Sequence, residues 1–256
     1  MLKSLAAFLV QVFTKKMESE GVVGDKYRSH LHEEGEKDTK WRFGGPPNYD
    51  IVNKLFEEGR TKVWPPGSIE EKVQNLVKTW EMEVFHKTCF DDYKSIADPK
   101  KYSSSLNGRT PITLEEKRML GGGYNAFMQT SLPEKLRGYN PAEETVDTAH
   151  VAFTTAFPRG FALEVLQVYS GPPVIAYKFR HWGFMEGPFK GHPPTGELVE
   201  LFGIGVFQVN EEMKVMKVEF FMDRGELLGG LMKGSSLDGT NATIGAASGC
   251  PVLRGT

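Results

Sequence analysis

The sequence predicts an α+β fold in which several helices precede a bent antiparallel sheet. Two observations carry this prediction. Apolar residues recur at helical spacing between residues 68 and 157, and the period then changes to two over residues 161–222. Turn sequences rich in Gly, Pro and Asn interrupt the segments of period two, as expected for strands that are joined by hairpins.

The first helices are predicted from caps and from apolar spacing. A short helix is expected over residues 49–58. Ser68 begins the next helix, because Ser-Ile-Glu-Glu is a capping box whose Glu71 stands three residues further on. Its apolar stripe continues to about residue 87. Residues 91–113 are polar and rich in Ser, Asn and Gly, so they are expected to be mostly loop.

Two further helices are expected before the sheet. Thr113 opens a second capping box and a helix that runs towards residue 128, although three glycines at 121–123 interrupt it. These glycines permit either a kink or a close approach of another part of the backbone. The following helix is expected over residues 141–157, where a proline and a glycine end it.

The sheet is expected to contain four strands. Their ranges are residues 161–169, 174–184, 197–209 and 214–222. A short helix over residues 225–232 is predicted to follow the last strand.

The chain is predicted to divide into four parts. In order, they are a flexible or amphipathic extension (1–17), an arm (18–67), the main domain (68–232) and a mobile tail (233–256). The arm is rich in Gly, Pro and charged residues, yet it also contains aromatic residues. Because disordered linkers avoid aromatic residues, the arm is predicted to be ordered and to wrap the main domain.

The composition argues against several functions. Among 256 residues, 31 are basic and 33 acidic, so no basic surplus is present to bind nucleic acid. Cys89 and Cys250 lie far apart, which favours a reducing, cytoplasmic location over a disulfide scaffold. Residues 5–13 are apolar but too short to span a bilayer. They are expected to be disordered, or to make at most a peripheral membrane contact within residues 1–16.

Two runs in the second half carry a resemblance to a known family. They are His181-Trp-Gly-Phe-Met-Glu-Gly-Pro-Phe-Lys-Gly-His-Pro-Pro-Thr-Gly196 and Val218-Glu-Phe-Phe-Met-Asp-Arg-Gly-Glu-Leu-Leu228. Both resemble the SnoaL-like polyketide cyclases, which belong to the nuclear transport factor 2-like superfamily. The resemblance implies a cone, in which helices close one side of a strongly curved sheet and leave a conical cavity.

Motifs along the whole chain resemble a plant subgroup of that superfamily, the pathogen-related proteins. Among them are Gly24-Asp-Lys-Tyr-Arg-Ser-His30, Pro46-Pro-Asn-Tyr-Asp50, Val52-Asn-Lys-Leu-Phe-Glu57, Thr155-Ala-Phe-Pro-Arg-Gly160 and Gly249-Cys-Pro-Val252. The resemblance extends over residues 20–256 and is specific for the family. It does not define an activity, because one cone fold hosts both enzymes and non-enzymatic binding proteins.

Strand alternation selects candidate residues for the cavity. Two strand faces mix aromatic and ionisable side chains, and we assign both faces to the concave side, because a ligand cavity needs an apolar lining with a few polar groups. These residues are Tyr177, Phe179 and His181 on the second strand, and Glu219, Phe221 and Asp223 on the last strand.

Asp223 and His181 are the predicted catalytic residues. The resemblance implies that Asp223 matches a carboxylate at the end of the last strand in SnoaL-like enzymes, which serves there as acid and base in ring closure. A carboxylate in a largely apolar cavity exchanges a proton readily with a carbon acid, and an imidazole suits proton transfer near neutral pH. The alternatives are a helix cap or surface ion pair for Asp223 and a structural hydrogen bond for His181.

The remaining candidates are assigned to ligand binding. They are Tyr177, Phe179, Glu219 and Phe221 of the sheet, and Trp80 and His86 of the helix that begins after Ser68. For His86, a position at the cavity mouth and one on the surface are both open. The histidines and cysteines show no metal-ligand spacing, so no metal or other cofactor is predicted.

Two functions follow from these expectations. The first is a binding or accessory protein that holds an apolar plant metabolite and assists biosynthetic enzymes in defence or specialised metabolism, with a homodimer formed through the sheet. The second is a cofactor-independent cyclase, isomerase or dehydratase that uses Asp223 with His181 or Tyr177. The arm favours the first function, since simple cyclases of this fold lack such an arm.

Overall fold

A computed structural model describes residues 24–234. The first 23 residues, which include the predicted membrane contact, and the tail from residue 235 onwards lie outside the described residues. The described helices are α1 (Asp50–Gly59), α2 (Ile69–His86), α3 (Leu114–Met119), α4 (Gly122–Phe127), α5 (Val146–Ala156) and α6 (Arg224–Leu231). The strands are β1 (Ser103–Leu106), β2 (Ala162–Ser170), β3 (Val174–Phe184), β4 (Leu198–Val209) and β5 (Val215–Met222).

The α+β class is confirmed, and the described residues form a five-stranded sheet and six α-helices. The strand order is β1-β5-β4-β3-β2, with antiparallel pairing except between β1 and β5, which are parallel. The expectation that residues 91–113 are mostly loop therefore missed β1. Its sequence, Ser-Ser-Ser-Leu, has no apolar alternation, so it becomes a strand only through pairing with β5.

The helix predicted after Thr113 is divided in two at the glycines. The capping box forms, since the Thr113 hydroxyl accepts from the backbone N–H of Glu116 and the Glu116 carboxylate accepts from that of Thr113. Gly121 then adopts φ 85°, in the left-handed region, and separates α3 from α4. A Cβ on Gly123 would lie 2.5 Å from the ring of Phe85. A Cβ on Gly121 would lie 2.8 Å from the carbonyl oxygen of Glu144, so the glycines allow both the break between the helices and a close backbone approach.

Two glycines on β4 make room for the aromatic rings of the core. Gly203 pairs with Phe179, and Gly205 pairs with Tyr177 on β3. A Cβ at either glycine would lie 2.4 Å from the facing ring. Because neither glycine has a side chain, both rings can lie against the backbone of β4 within the hydrophobic core.

Residues 24–67 lie against the main domain and cross the edge of its sheet. The backbone N–H groups of Thr61 and Lys62 donate to the buried carboxylate of Glu164 on β2, over 2.5 and 2.6 Å. The Trp64 indole N–H donates to the carbonyl of Val165 over 2.9 Å. These bonds hold the arm to the outermost antiparallel strand.

A buried ion network fastens the beginning of the arm to the end of α2. The Lys87 Nζ lies 2.8 Å from the carboxylate of Glu36 in the arm and 2.8 Å from that of Glu83. The three side chains are 0%, 2% and 0% exposed, respectively. The Glu83 carboxylate also accepts from the backbone N–H groups of Lys94 and Ser95. Each buried charge therefore has a partner, which is the condition under which such a network is tolerated.

Among residues 24–234, no helix combines the length and the apolar character that crossing a bilayer requires.

We predict that Lys87→Met lowers the free energy of unfolding by about 3–5 kcal/mol, because it leaves the buried carboxylate of Glu83 without a cation and leaves Glu36 paired only with the partly exposed Lys94. Urea denaturation followed by circular dichroism measures this loss. Lys72→Met, at an exposed position of the same helix, is the control and is expected to change stability by less than about 0.5 kcal/mol. Equal effects of the two substitutions would show that the network does not hold the arm.

Candidate ligand-binding cavity

A cavity of about 370 Å³ lies between the concave face of the sheet, helices α2, α4 and α5, and the arm. This volume is within the range of small-molecule sites. Its walls are mainly aromatic. The aromatic side chains that line it are Tyr49, Trp80, Phe85, Tyr124, Phe127, Phe153, Phe157, Phe161, Phe179 and Phe220.

The arm forms one wall of this cavity. Arg28, Tyr49 and Val52 are among its lining residues, and all three precede the main domain. The guanidinium of Arg28 lies 3.5 Å above the ring of Tyr49. The same group donates to the amide oxygen of Asn53 over 2.9 Å and pairs with the carboxylate of Asp25 at 3.4 Å. A cation–π contact and an ion pair thus join two separate segments of the arm to each other beside the cavity.

A carboxylate and an imidazole meet inside the cavity. The Nε2 atom of His181 on β3 lies 3.8 Å from Oε1 of Glu81 on α2. The ring of Phe161 stacks on the imidazole at 5.2 Å, and Phe179 contacts it edge-on at 5.7 Å. Burial lowers the pKa of His181, although the nearby carboxylate of Glu81 opposes this shift. The imidazole is therefore neutral at pH 7, and it can accept a proton or donate a hydrogen bond.

A pair of histidines lies beneath the arm. The rings of His86 on α2 and His150 on α5 are 6.1 Å apart, and Phe43 of the arm stacks on His150 at 4.1 Å. Burial lowers the pKa of His86 to about 3, and the neighbouring His150, Arg28 and Arg42 add to this shift. Burial also lowers the pKa of His150. Both rings are therefore neutral and pack as part of the aromatic wall.

Four of the predicted site residues line the cavity, namely Trp80, His86, Phe179 and His181. Tyr177 lies on the same face of β3 but deeper, with its ring 5.4 Å from that of Phe207 and none of its surface exposed. It belongs to the core beneath the cavity.

The assignment of Glu219, Phe221 and Asp223 to the concave face is wrong. Phe220 and Met222 of β5 line the cavity, so the alternate residues point to the outer face. Glu219 pairs there with Lys217 at 2.8 Å, and Phe221 is 44% exposed. The apolar set of β5 faces inwards because an antiparallel sheet with one solvated face buries its apolar side.

Asp223 is exposed and caps α6, which is the alternative to a catalytic role that the sequence left open. Its Oδ1 accepts from the backbone N–H of Gly225 over 2.7 Å. This bond satisfies one of the free N–H groups at the helix terminus. An acid/base role for Asp223 in the cavity is therefore not supported by its position.

Sequence reasoning missed Glu81. A signal was present, since Glu81 follows Val77 and precedes Phe85 at intervals of four residues, which places an acidic side chain within the apolar stripe of α2. No sequence pattern indicated that Arg28 and Tyr49 line the cavity, because their position depends on how the arm folds back onto the main domain.

Within residues 24–234, no group of three or more His, Cys, Asp or Glu side chains is arranged to hold a metal ion.

The fold and the cavity define an α+β protein with an internal, largely aromatic site beneath an arm. The sequence is 59% identical over 234 residues to a protein of barley, Hordeum vulgare, named "Pathogen-related protein". The match covers 91% of this chain and 96% of the barley protein. The chain belongs to the pathogen-related protein family, as its motifs indicated. No protein-family model matches the sequence.

Several solved structures are similar at low sequence identity. A protein from Jannaschia sp. CCS1, described as a SnoaL-like polyketide cyclase, is 17% identical with a TM-score of 0.39, and the match covers 68% of this chain and 99% of that one. A protein from Streptomyces antibioticus, described as a polyketide cyclase, is 15% identical with a TM-score of 0.36 over 55% of this chain and 85% of that one. Such TM-scores do not transfer an activity.

We predict that the stability of the protein falls more steeply below pH 6.5 than that of the variant His86→Phe. The depressed pKa of His86 keeps its ring neutral in the folded state, whereas the unfolded chain binds a proton below about pH 6.5. Stability from this residue is thus complete above that pH and is lost as the pH falls towards 3, by at most about 1.4 kcal/mol per pH unit.

Chemical denaturation between pH 7 and 4.5 measures this difference. The control is His32→Phe at an exposed position, whose stability curve is expected to parallel that of the unchanged protein. If the stability of His86→Phe also follows the same pH dependence as that of the unchanged protein, the burial of a neutral imidazole at this site is contradicted.

Proposed function

We propose that this protein binds a largely apolar small molecule in the cavity beneath its arm. The observation that carries the proposal is the aromatic lining, which the arm completes with Tyr49 and Val52. Aromatic walls with few polar groups are the usual composition of small-molecule sites, and a volume of about 370 Å³ suits a compact metabolite.

The arm also favours binding over rapid turnover. It is held to α2 by the ion network of Glu36, Glu83 and Lys87, and to β2 through Glu164. If a ligand enters past this fastened segment, slow release is expected. The barley relative is named for an association with pathogens. An accessory role in plant defence or specialised metabolism, in which the protein holds a metabolite for biosynthetic enzymes, is consistent with both facts.

We predict that Thr154→Trp weakens binding of the neutral dye Nile red at least tenfold. Thr154 is an exposed residue of α5 that also lines the cavity, and an indole at this position would obstruct part of the opening. Fluorescence titration measures the affinity. Thr155→Trp is the matched control, since Thr155 is exposed on the same helix and does not line the cavity. Failure of Nile red and of other apolar probes to bind the unchanged, folded protein would exclude the proposed function.

A second candidate function rests on Glu81 and His181. A carboxylate and a neutral imidazole 3.8 Å apart in an aromatic cavity can remove a proton from a carbon acid and return it elsewhere, without a cofactor. A cyclase or isomerase of this kind is expected to lose activity about 100-fold in Glu81→Gln. Undiminished product formation by that variant in a reconstituted pathway would exclude this mechanism.

A homodimer through the outer face of the sheet is also proposed. Phe202 on β4 and Phe221 on β5 are 47% and 44% exposed on this face, next to the partly exposed Ile204. Apolar residues grouped on a sheet face favour association with a partner. Sedimentation that shows a monomer at all concentrations would exclude this proposal.

A further inference from the structure

We propose that the cavity prefers a ligand with a protonated amine, which Glu81 binds through an ion pair while the aromatic walls contact the apolar skeleton. This inference rests on the proposed binding function and specifies the chemical class of the ligand. It is drawn from the charges that line the cavity and from their partners.

Glu81 is the one acidic side chain among the described residues that line the cavity. The two arginines of the lining already have carboxylate partners. Arg28 pairs with Asp25, and both of these side chains are only 5% exposed. Arg159 at the rim donates to both carboxylate oxygens of Glu186, over 3.0 and 2.7 Å. Neither guanidinium is within ion-pair distance of Glu81 in the described part of the chain.

The other basic groups near Glu81 do not neutralise it. His181 is its nearest basic neighbour at 3.8 Å, and burial lowers the pKa of this imidazole, as it does for His86 and His150. Lys78 lies one turn earlier on α2, but its amine is placed 3.1 Å above the centre of the Phe56 ring, on the side of the arm. Burial lowers the pKa of Lys78 well below its usual value. Residues 24–234 thus supply no cation that contacts the Glu81 carboxylate.

The surroundings of Glu81 suit an organic cation. Its side chain is 31% exposed and lines the cavity, so a ligand can reach it. Tyr49 and Tyr124 line the same cavity, and the charge of Glu81, after the larger effect of burial, raises the pKa of both phenols. Aromatic faces attract ammonium groups, and this attraction strengthens where water is excluded. A carboxylate beside aromatic rings can therefore hold an amine through two contacts. These are an ion pair with the carboxylate and a cation–π contact with a ring.

The same arrangement acts against anionic ligands. A ligand carboxylate in this cavity would approach Glu81 without an unpaired arginine or lysine to compensate, and a desolvated like-charge pair is unfavourable. A neutral alcohol of the same shape would gain one hydrogen bond to Glu81 but no ion pair. The expected order of affinity is therefore amine, alcohol, acid.

The test compares three probes with one skeleton, namely 9-(aminomethyl)anthracene, 9-anthracenemethanol and 9-anthracenecarboxylic acid. Fluorescence titration of the full chain at pH 7 and low salt gives each dissociation constant. We expect the amine to bind at least tenfold more tightly than the alcohol, and the acid more weakly than both. Glu81→Gln is expected to reduce the ratio of amine to alcohol affinity to about one.

Two variants control this experiment. Glu70→Gln removes the same charge from α2 at a residue that does not line the cavity, and the amine preference should persist. Glu81→Asp keeps a carboxylate at the site and should retain a preference of at least threefold. Circular dichroism verifies that each variant is folded.

Each other result overturns the inference. Equal affinity for amine and alcohol, or a preference that survives Glu81→Gln in the folded variant, would show that Glu81 does not select the ligand. The proposed function would then still stand if Nile red binds and Thr154→Trp weakens that binding. If neither Nile red nor any of the anthracene probes binds the folded chain, the proposed function and this inference fail together.

Discussion

The buried ion network of Lys87 with Glu36 and Glu83 is the interaction on which the site depends. It joins two segments that are far apart in sequence, the start of the arm and the end of α2. An ion pair without exposure to water tolerates little displacement, because any separation leaves a charge desolvated and unpaired. The network therefore fixes the arm relative to the helix, and that placement brings Arg28 and Tyr49 to the cavity.

Helix α2 connects this network to the chemistry of the cavity. Glu81 and Glu83 are two residues apart, so they point in directions that differ by about 200° around the helix. Glu83 faces the arm and is fully paired, whereas Glu81 faces the aromatic cavity, where its nearest basic neighbour is the neutral His181. One carboxylate thus contributes to the structure and the other remains available to a ligand.

Much of the fold was predictable because it depends on local sequence. The caps at Ser68 and Thr113 act over three residues, and the four antiparallel strands show apolar alternation. Strand β1 was not predictable, because its pairing with β5 joins residues that are more than a hundred positions apart. The prediction of which face of β5 points inwards was wrong for a different reason. Mixed polarity was taken to indicate a cavity, yet the uniformly apolar face was the buried one.

The sequence by itself determined the α+β class and the family, and it pointed to Trp80, Phe179 and His181 as residues of the site, while it left the position of His86 open. These follow from periodicity and motifs, which are properties of neighbouring residues. Only the tertiary structure decided that the arm closes the cavity, that Asp223 is a helix cap, and that Glu81 meets His181. Those outcomes depend on long-range packing, since burial and the distance between charges exist only once distant segments have come together.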